Sequence, residues 1–183
     1  INLLNAIAWE YKYTNPDTSF NILEEALALA EKIKWKKGQA NALRNIGGYN
    51  LDIGNYPQAL AYYFKALEIN RALNDKKGIA ATLGNIGIVY DDQGDYPKAL
   101  EHYFESLKIK KEMVYKIGMA ATLGNIGIVY FKQSDYPKAL EHFLEAMKID
   151  KEKGNKSGIA IRLGNIGNVY NYEGDYPKAL EYY

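Results

Sequence analysis

Cysteine is absent, so there are no disulfide staples, no thiolate metal sites and no cysteine nucleophile. Histidine is nearly absent as well. His102 and His142 are the only two, while a metal or acid–base centre needs several converging groups. They lie one repeat period apart, each directly after a glutamate (Glu101, Glu141), and read as copies of one structural position. Neither sign of charge is in excess: 23 Lys and Arg stand against 22 Asp and Glu. Composition therefore gives no pointer to nucleic acid or to an anionic membrane surface as partner. No apolar run approaches the roughly 20 residues that span a bilayer, so membrane insertion of this segment is not expected. No stretch alternates in the manner of a strand.

The chain does have apolar residues in quantity, 48% of 183, and it has self-similarity. Gly38, Gly78, Gly118 and Gly158 mark a 40-residue period. Leu83-Gly84-Asn85-Ile86-Gly87 returns at Leu123 to Gly127 and at Leu163 to Gly167, with Leu43-Arg44-Asn45-Ile46-Gly47 as a looser copy. Asp95-Tyr96-Pro97-Lys98-Ala99-Leu100 returns at Asp135 and Asp175, with Asn55-Tyr56-Pro57 as its variant. The first 37 residues keep the register: Leu3, Ala6 and Ala26 fall where Leu43, Ile46 and Ala66 fall one period later. We therefore expect one repeat domain over residues 1–183, with copies at about 1–37, 38–77, 78–117, 118–157 and a truncated 158–183. The start at Ile1 and the stop at Tyr183 inside a repeat are the expectation for a piece of a longer protein.

Each period should hold two helices. In the first, from about Ala80 to Gln93, Leu83, Ile86, Gly87 and Tyr90 form one stripe at helical spacing. In the second, Ala99, Leu100, Tyr103 and Leu107 do the same after Pro97. Gly94 suits a left-handed cap, Asp95 suits the N-cap that follows, and Pro97 falls in the first turn, where its missing N–H costs nothing. Asn74-Asp75 and Gly154-Asn155 read as stop-and-start signals between periods. The fold class is all-α, a right-handed solenoid of antiparallel hairpins. Gly87, Gly127 and Gly167, like Ala99 and Ser106, are small where two helix backbones should approach closely, which offsets the ~1 kcal/mol that a helical glycine costs.

These positions (Leu83, Ile86-Gly87, Tyr90, Gly94, Tyr96, Ala99, Tyr103, Ser106) resemble the tetratricopeptide signature, with Leu83 in the place usually given to Trp. The common repeat has 34 residues, and the extra length here is expected in the second helix and its exit. The long repeat is similar to Pins-type adaptors and, more distantly, to kinesin light chains. The Gly-Asn-Ile-Gly and Gly-Asp-Tyr-Pro-Lys-Ala-Leu-Glu-Tyr-Tyr phrases resemble arrays in bacterial regulators that precede a histidine kinase, nucleotide cyclase or DNA-binding domain. The resemblance implies a scaffold that is not an enzyme, without cofactor or metal. It also implies a soluble segment, cytoplasmic or on the outer side of a membrane-bound regulator.

Candidate binding residues follow from the face opposite the stripe. Asn85 recurs as Asn5, Asn45, Asn125 and Asn165, one per first helix. An amide both donates and accepts, so such a ladder can hold the backbone of an extended peptide. In Pins-like relatives asparagines here line the peptide groove, and the resemblance carries that role to these five. The alternative is that each locks its repeat to the next. Gly84, Gly124 and Gly164 would leave a peptide room to approach. The neighbours differ by copy: Arg44 and Asp52, Asp91 and Asp92, Phe131 and Lys132, then Arg162, Asn168 and Tyr172. With Asn41, Ala81, Ala121 and Ile161 early in the helices, the pattern does not resemble the carboxylate clamp of chaperone-binding repeats. Asp91-Asp92 reads as solvated charge rather than an acid–base pair, and Gly-Asn-Ile-Gly lies inside a helix, so it is no phosphate loop. The expected partner is a protein or peptide, another part of the parent chain included. Association of copies through the exposed last repeat is the competing reading.

Overall fold

The computed structural model describes residues 1–11 and 14–183, and every regular element among them is an α-helix. Five form one compact unit, Ile1–Gln93: α1 (Asn2–Tyr11), α2 (Pro16–Lys32), α3 (Lys36–Asp52), α4 (Tyr56–Ala72) and α5 (Lys76–Asp92). Five form a second, Gly94–Tyr183: α6 (Tyr96–Glu112), α7 (Lys116–Lys132), α8 (Tyr136–Glu152), α9 (Lys156–Glu173) and α10 (Tyr176–Tyr182). Odd-numbered helices are the first of each repeat and even-numbered helices the second. Consecutive helices pack as hairpins within each unit, so the all-α hairpin class read from the repeat is the observed one.

The turn chemistry is also as read. Gly94 takes a left-handed conformation (φ 76°), Asp95 accepts a hydrogen bond from the Lys98 amide, and Pro97 lies in the first turn of α6. One expectation is corrected. From α3 to α8 every helix has 17 residues, so the extra length is shared equally and not placed in the second helix. In α5 the cap contributes to the start. Asp75 accepts from the Gly78 amide at 3.1 Å, and this starts α5 at Lys76, ahead of Ala80.

Inside a hairpin, an aromatic ring lies on a glycine. A Cβ on Gly127 would stand 2.5 Å from the Phe143 ring, and one on Gly47 would stand 2.7 Å from Tyr63. Tyr183 covers Gly167 in the same way. Tyr63 and Phe143 are each 1% exposed, so these contacts form the centre of α3–α4 and of α7–α8. In the second unit Met147, Ile166 and Val169 complete the core around Phe143.

Between hairpins, the end of each second helix packs against the early part of the next first helix, and the residues 12 apart that stand there differ at each of the four junctions. Ala30 and Ala42 are fully buried. Asn70 Nδ2 donates to Thr82 Oγ1 at 3.3 Å. Lys110 Nζ donates to Thr122 Oγ1 at 2.6 Å. Arg162 Nε lies 3.5 Å from Asp150 Oδ2, with both side chains almost wholly buried.

The Lys110 pair has a measurable consequence. Burial pulls the Lys110 pKa from 10.5 to about 8. Below pH 8 both the folded and unfolded chains hold the proton, and this group adds no pH dependence. Between about 8 and 10.5 only the unfolded chain holds it, so its contribution makes stability rise with pH. Thermal denaturation across that window should show this rise in the parent and not in Lys110→Met.

Candidate functional site

In the first unit, α3 packs against both α1 and α5, so three first helices lie side by side. Their side chains enclose a cavity of about 330 Å³, into which come Asn5 and Trp9 from α1, Arg44, Asn45 and Asp52 from α3, and Asn85 from α5. Helical spacing explains the convergence. Asn5, Asn45 and Asn85 occupy one register position, and Arg44 precedes it by one residue. Trp9, at the rim, stays 64% exposed.

The polar groups here are not equivalent. Burial draws the Arg44 pKa below its usual value, against the smaller opposing pull of Tyr63 and Asp75. Asp75 is itself ion-paired to Lys37 at 2.8 Å. Burial, reinforced by the charge of Asp52, holds the Tyr63 hydroxyl protonated well above the usual tyrosine range, and this hydroxyl is hydrogen-bonded to the Asn85 side chain. Asn85 thus also ties α5 to α4, while the buried Asn5 Oδ1 has no hydrogen-bond partner among the described residues.

The second unit carries a smaller cavity of about 250 Å³, lined by Ile128, Phe131, Lys132, Phe143, Asn165 and Asn168. Tyr172, from the last turns of α9, stands edge-on to Phe131 at 5.1 Å and is 67% exposed. Asn168 Oδ1 accepts from the Tyr183 hydroxyl at 2.7 Å. Asn165 Nδ2 is shut off from solvent and has no hydrogen-bond partner among the described residues. The residue corresponding to Tyr63 is Phe143, which has no hydroxyl to offer. Sequence reasoning passed over this dependence, although the signal is present: the residue 22 positions before the asparagine is Tyr63 for Asn85 and Phe143 for Asn165. Trp9 was passed over as well, as a single copy outside the repeated phrases.

Two expectations are corrected. Arg162 does not line an open groove. It is 8% exposed, its Nη2 donates to the Ala120 carbonyl at 3.4 Å, and its Nε faces Asp150. Gly124 accordingly leaves no room for a ligand, because the Arg162 guanidinium fills the space its missing side chain would take; Cζ lies 2.5 Å from where a Cβ would be. At Gly164 nothing lies within 4 Å, so that position is open as expected. Asn125 is half-buried on α7 and lines neither of these cavities. Asp91 and Asp92, in the last turn of α5, also lie outside both. His142 packs as a ring, stacked on Tyr130 at 5.4 Å and edge-on to Phe104 at 6.1 Å. Burial lowers its pKa, against the charges of Glu141 and Glu145.

No described helix is long and apolar enough to cross a membrane. Among curated proteins, tetratricopeptide repeat protein 29 of Trypanosoma brucei brucei is 32% identical over 69 residues, covering 38% of this chain. The match spans 14% of that relative's length. Among solved structures, BtubC (BKLC) from P. vanneervenii superimposes with a TM-score of 0.86 at 18% identity, over 98% of this chain and 75% of that one. A Rap protein in complex with Competence and Sporulation Factor gives 0.81 at 19% identity, over 98% of this chain and 60% of that one. At such identities these likenesses concern the fold alone. The tetratricopeptide repeat model matches residues 38–112 and 118–183. With rings seated on glycines, capped 17-residue helices and a repeat model matched over most of its length, the chain belongs to the tetratricopeptide repeat family.

Proposed function

We propose that this chain is a non-catalytic protein–protein interaction module, and that its first helices hold an extended peptide segment of a partner. The observation that carries the reading is the first-unit cavity, where three asparagines of the ladder, the half-buried Arg44 and an exposed tryptophan share one wall. Amides can take up a peptide backbone whatever its side chains are. The Arg44 guanidinium offers a fork to a carboxylate, and the Trp9 ring offers a face to an apolar side chain. The Rap protein similar in fold holds a partner in its solved complex, which supports a partner here too. A place in the regulatory part of a larger bacterial signalling protein, on the cytoplasmic side, belongs to the same proposal.

Short random peptides displayed on phage and selected on the folded chain supply a probe. Affinities of the selected peptides for Arg44→Ala and Asn45→Ala should fall by about tenfold or more, the equivalent of ~1.4 kcal/mol. These two are chosen because Asn85 also bonds Tyr63, so its loss would mix binding with stability. Unchanged affinity in both variants, with helicity intact, would reject the cavity as the binding site.

A further inference from the structure

The repeats are similar enough to be confused during folding. Residues 80–90 of α5 and 120–130 of α7 are identical, as are Asp95–His102 and Asp135–His142 at the starts of α6 and α8. Arrays of such copies are prone to pairing out of order. The junction between α8 and α9 is built differently from the others. Asp150 Oδ2 and Arg162 Nε, both shut off from solvent, face each other at 3.5 Å and hydrogen-bond to nothing else. Asn155 Nδ2 steadies the other carboxylate oxygen at 2.7 Å, and Gly158 leaves the space in which that carboxylate lies.

Cohesion alone does not call for a charge pair here. At the junction between α2 and α3 the corresponding residues, Ala30 and Ala42, are fully buried, and Gln39 Nε2 donates to the Ala30 carbonyl at 3.4 Å. Buried ion pairs give little net stability over apolar residues of the same volume, whereas breaking one strands a charge. What the pair does is discriminate. If α9 docked on α6, Arg162 would meet the Lys110 ammonium. If it docked on α4, Arg162 would meet Asn70, and Arg44 would stand where Gly124 now makes room. Conversely, α5 or α7 docked on α8 would bring a threonine and leave Asp150 buried without a cation.

We infer that Asp150 and Arg162 are specificity determinants of the array, assigning α9 to α8 and to no other second helix. The pairs Asn70–Thr82 and Lys110–Thr122 share a threonine and discriminate less, since a hydroxyl accepts from either donor. The assignment is independent of what the cavities bind.

The test uses the full chain. Asp150→Lys alone sets two cations together, and Arg162→Thr alone strands the carboxylate; each should lower Tm by roughly 10 °C. The double substitution Asp150→Lys/Arg162→Thr copies the Lys110–Thr122 junction and should regain most of that loss. On dilution from urea, the Lys–Thr double variant should then yield dimer or misordered monomer, seen by light scattering and by a lowered recovery of native helicity, where the parent returns to native monomer. The inference fails if the double variant does not regain Tm, because the pair is then only a stabilising contact. It fails equally if the single variants leave Tm unchanged, or if the Lys–Thr variant refolds with the parent's yield and mass.

Discussion

Phe143→Ala should cost about 3–5 kcal/mol of stability, the range for removing a large aromatic from a closed core. The side chain is 1% exposed and packs against Gly127, Ile166 and Val169, so its loss opens the α7–α8 hairpin and its contact with α9 together. Urea denaturation followed by helicity should show the midpoint moving sharply down. Hydrogen exchange should locate the loss in α7, α8 and α9. The companion variant Phe143→Tyr is expected to move the other way. It places a hydroxyl where Tyr63 carries one, near the Asn165 Nδ2 that is sealed without a partner. A buried donor given an acceptor should gain about 1 kcal/mol. A Phe143→Tyr chain less stable than the parent would mean that the Tyr63–Asn85 geometry does not carry over to this hairpin.

The second large contrast uses one chemical change at two places. Gly127→Ala and Gly164→Ala both put a methyl group in the middle of a first helix. At Gly127 the new Cβ would stand 2.5 Å from the Phe143 ring, and the hairpin must part to admit it. Overpacking of this kind costs about 1–3 kcal/mol, more than the helix-propensity gain returns, so the variant should be less stable than the parent. At Gly164 nothing lies within 4 Å, and only the propensity gain of about 1 kcal/mol remains. Opposite shifts of the urea midpoint are the expected result, and equal shifts would contradict the packing described for Gly127.

The two glycines show what could and could not be read from the chain. The hairpins, the caps at Asp75 and Asp95 and the left-handed Gly94 were legible because they depend on residues close in sequence. The close approach at Gly127 was legible as well, because the same small residue recurs at each period. Arg162 was not. A helical wheel places it on the outward face, and only the absence of a side chain at Gly124, together with a carboxylate at Asp150, turns it inward. Its partner lies 12 residues upstream, the same separation that joins Asn70 to Thr82 and Lys110 to Thr122. That spacing was available in the sequence but is hidden by the change of residue types from copy to copy. The ladder was half legible for a related reason. The asparagines recur visibly, but the tie that Asn85 makes and Asn165 lacks depends on a Tyr or a Phe in the preceding helix.

Arrays of this kind grow and shrink by unequal exchange between near-identical copies, and the junction pairs decide which exchanges leave a folding product. Loss of residues 78–117 would bring Asn70 against Thr122, the same chemistry that now joins Asn70 to Thr82. Loss of residues 118–157 would bring Lys110 against Arg162 and bury two cations together. A cut at 77/118 therefore leaves a matched junction and a cut at 117/158 a mismatched one, so where the exchange falls decides whether the shortened array folds.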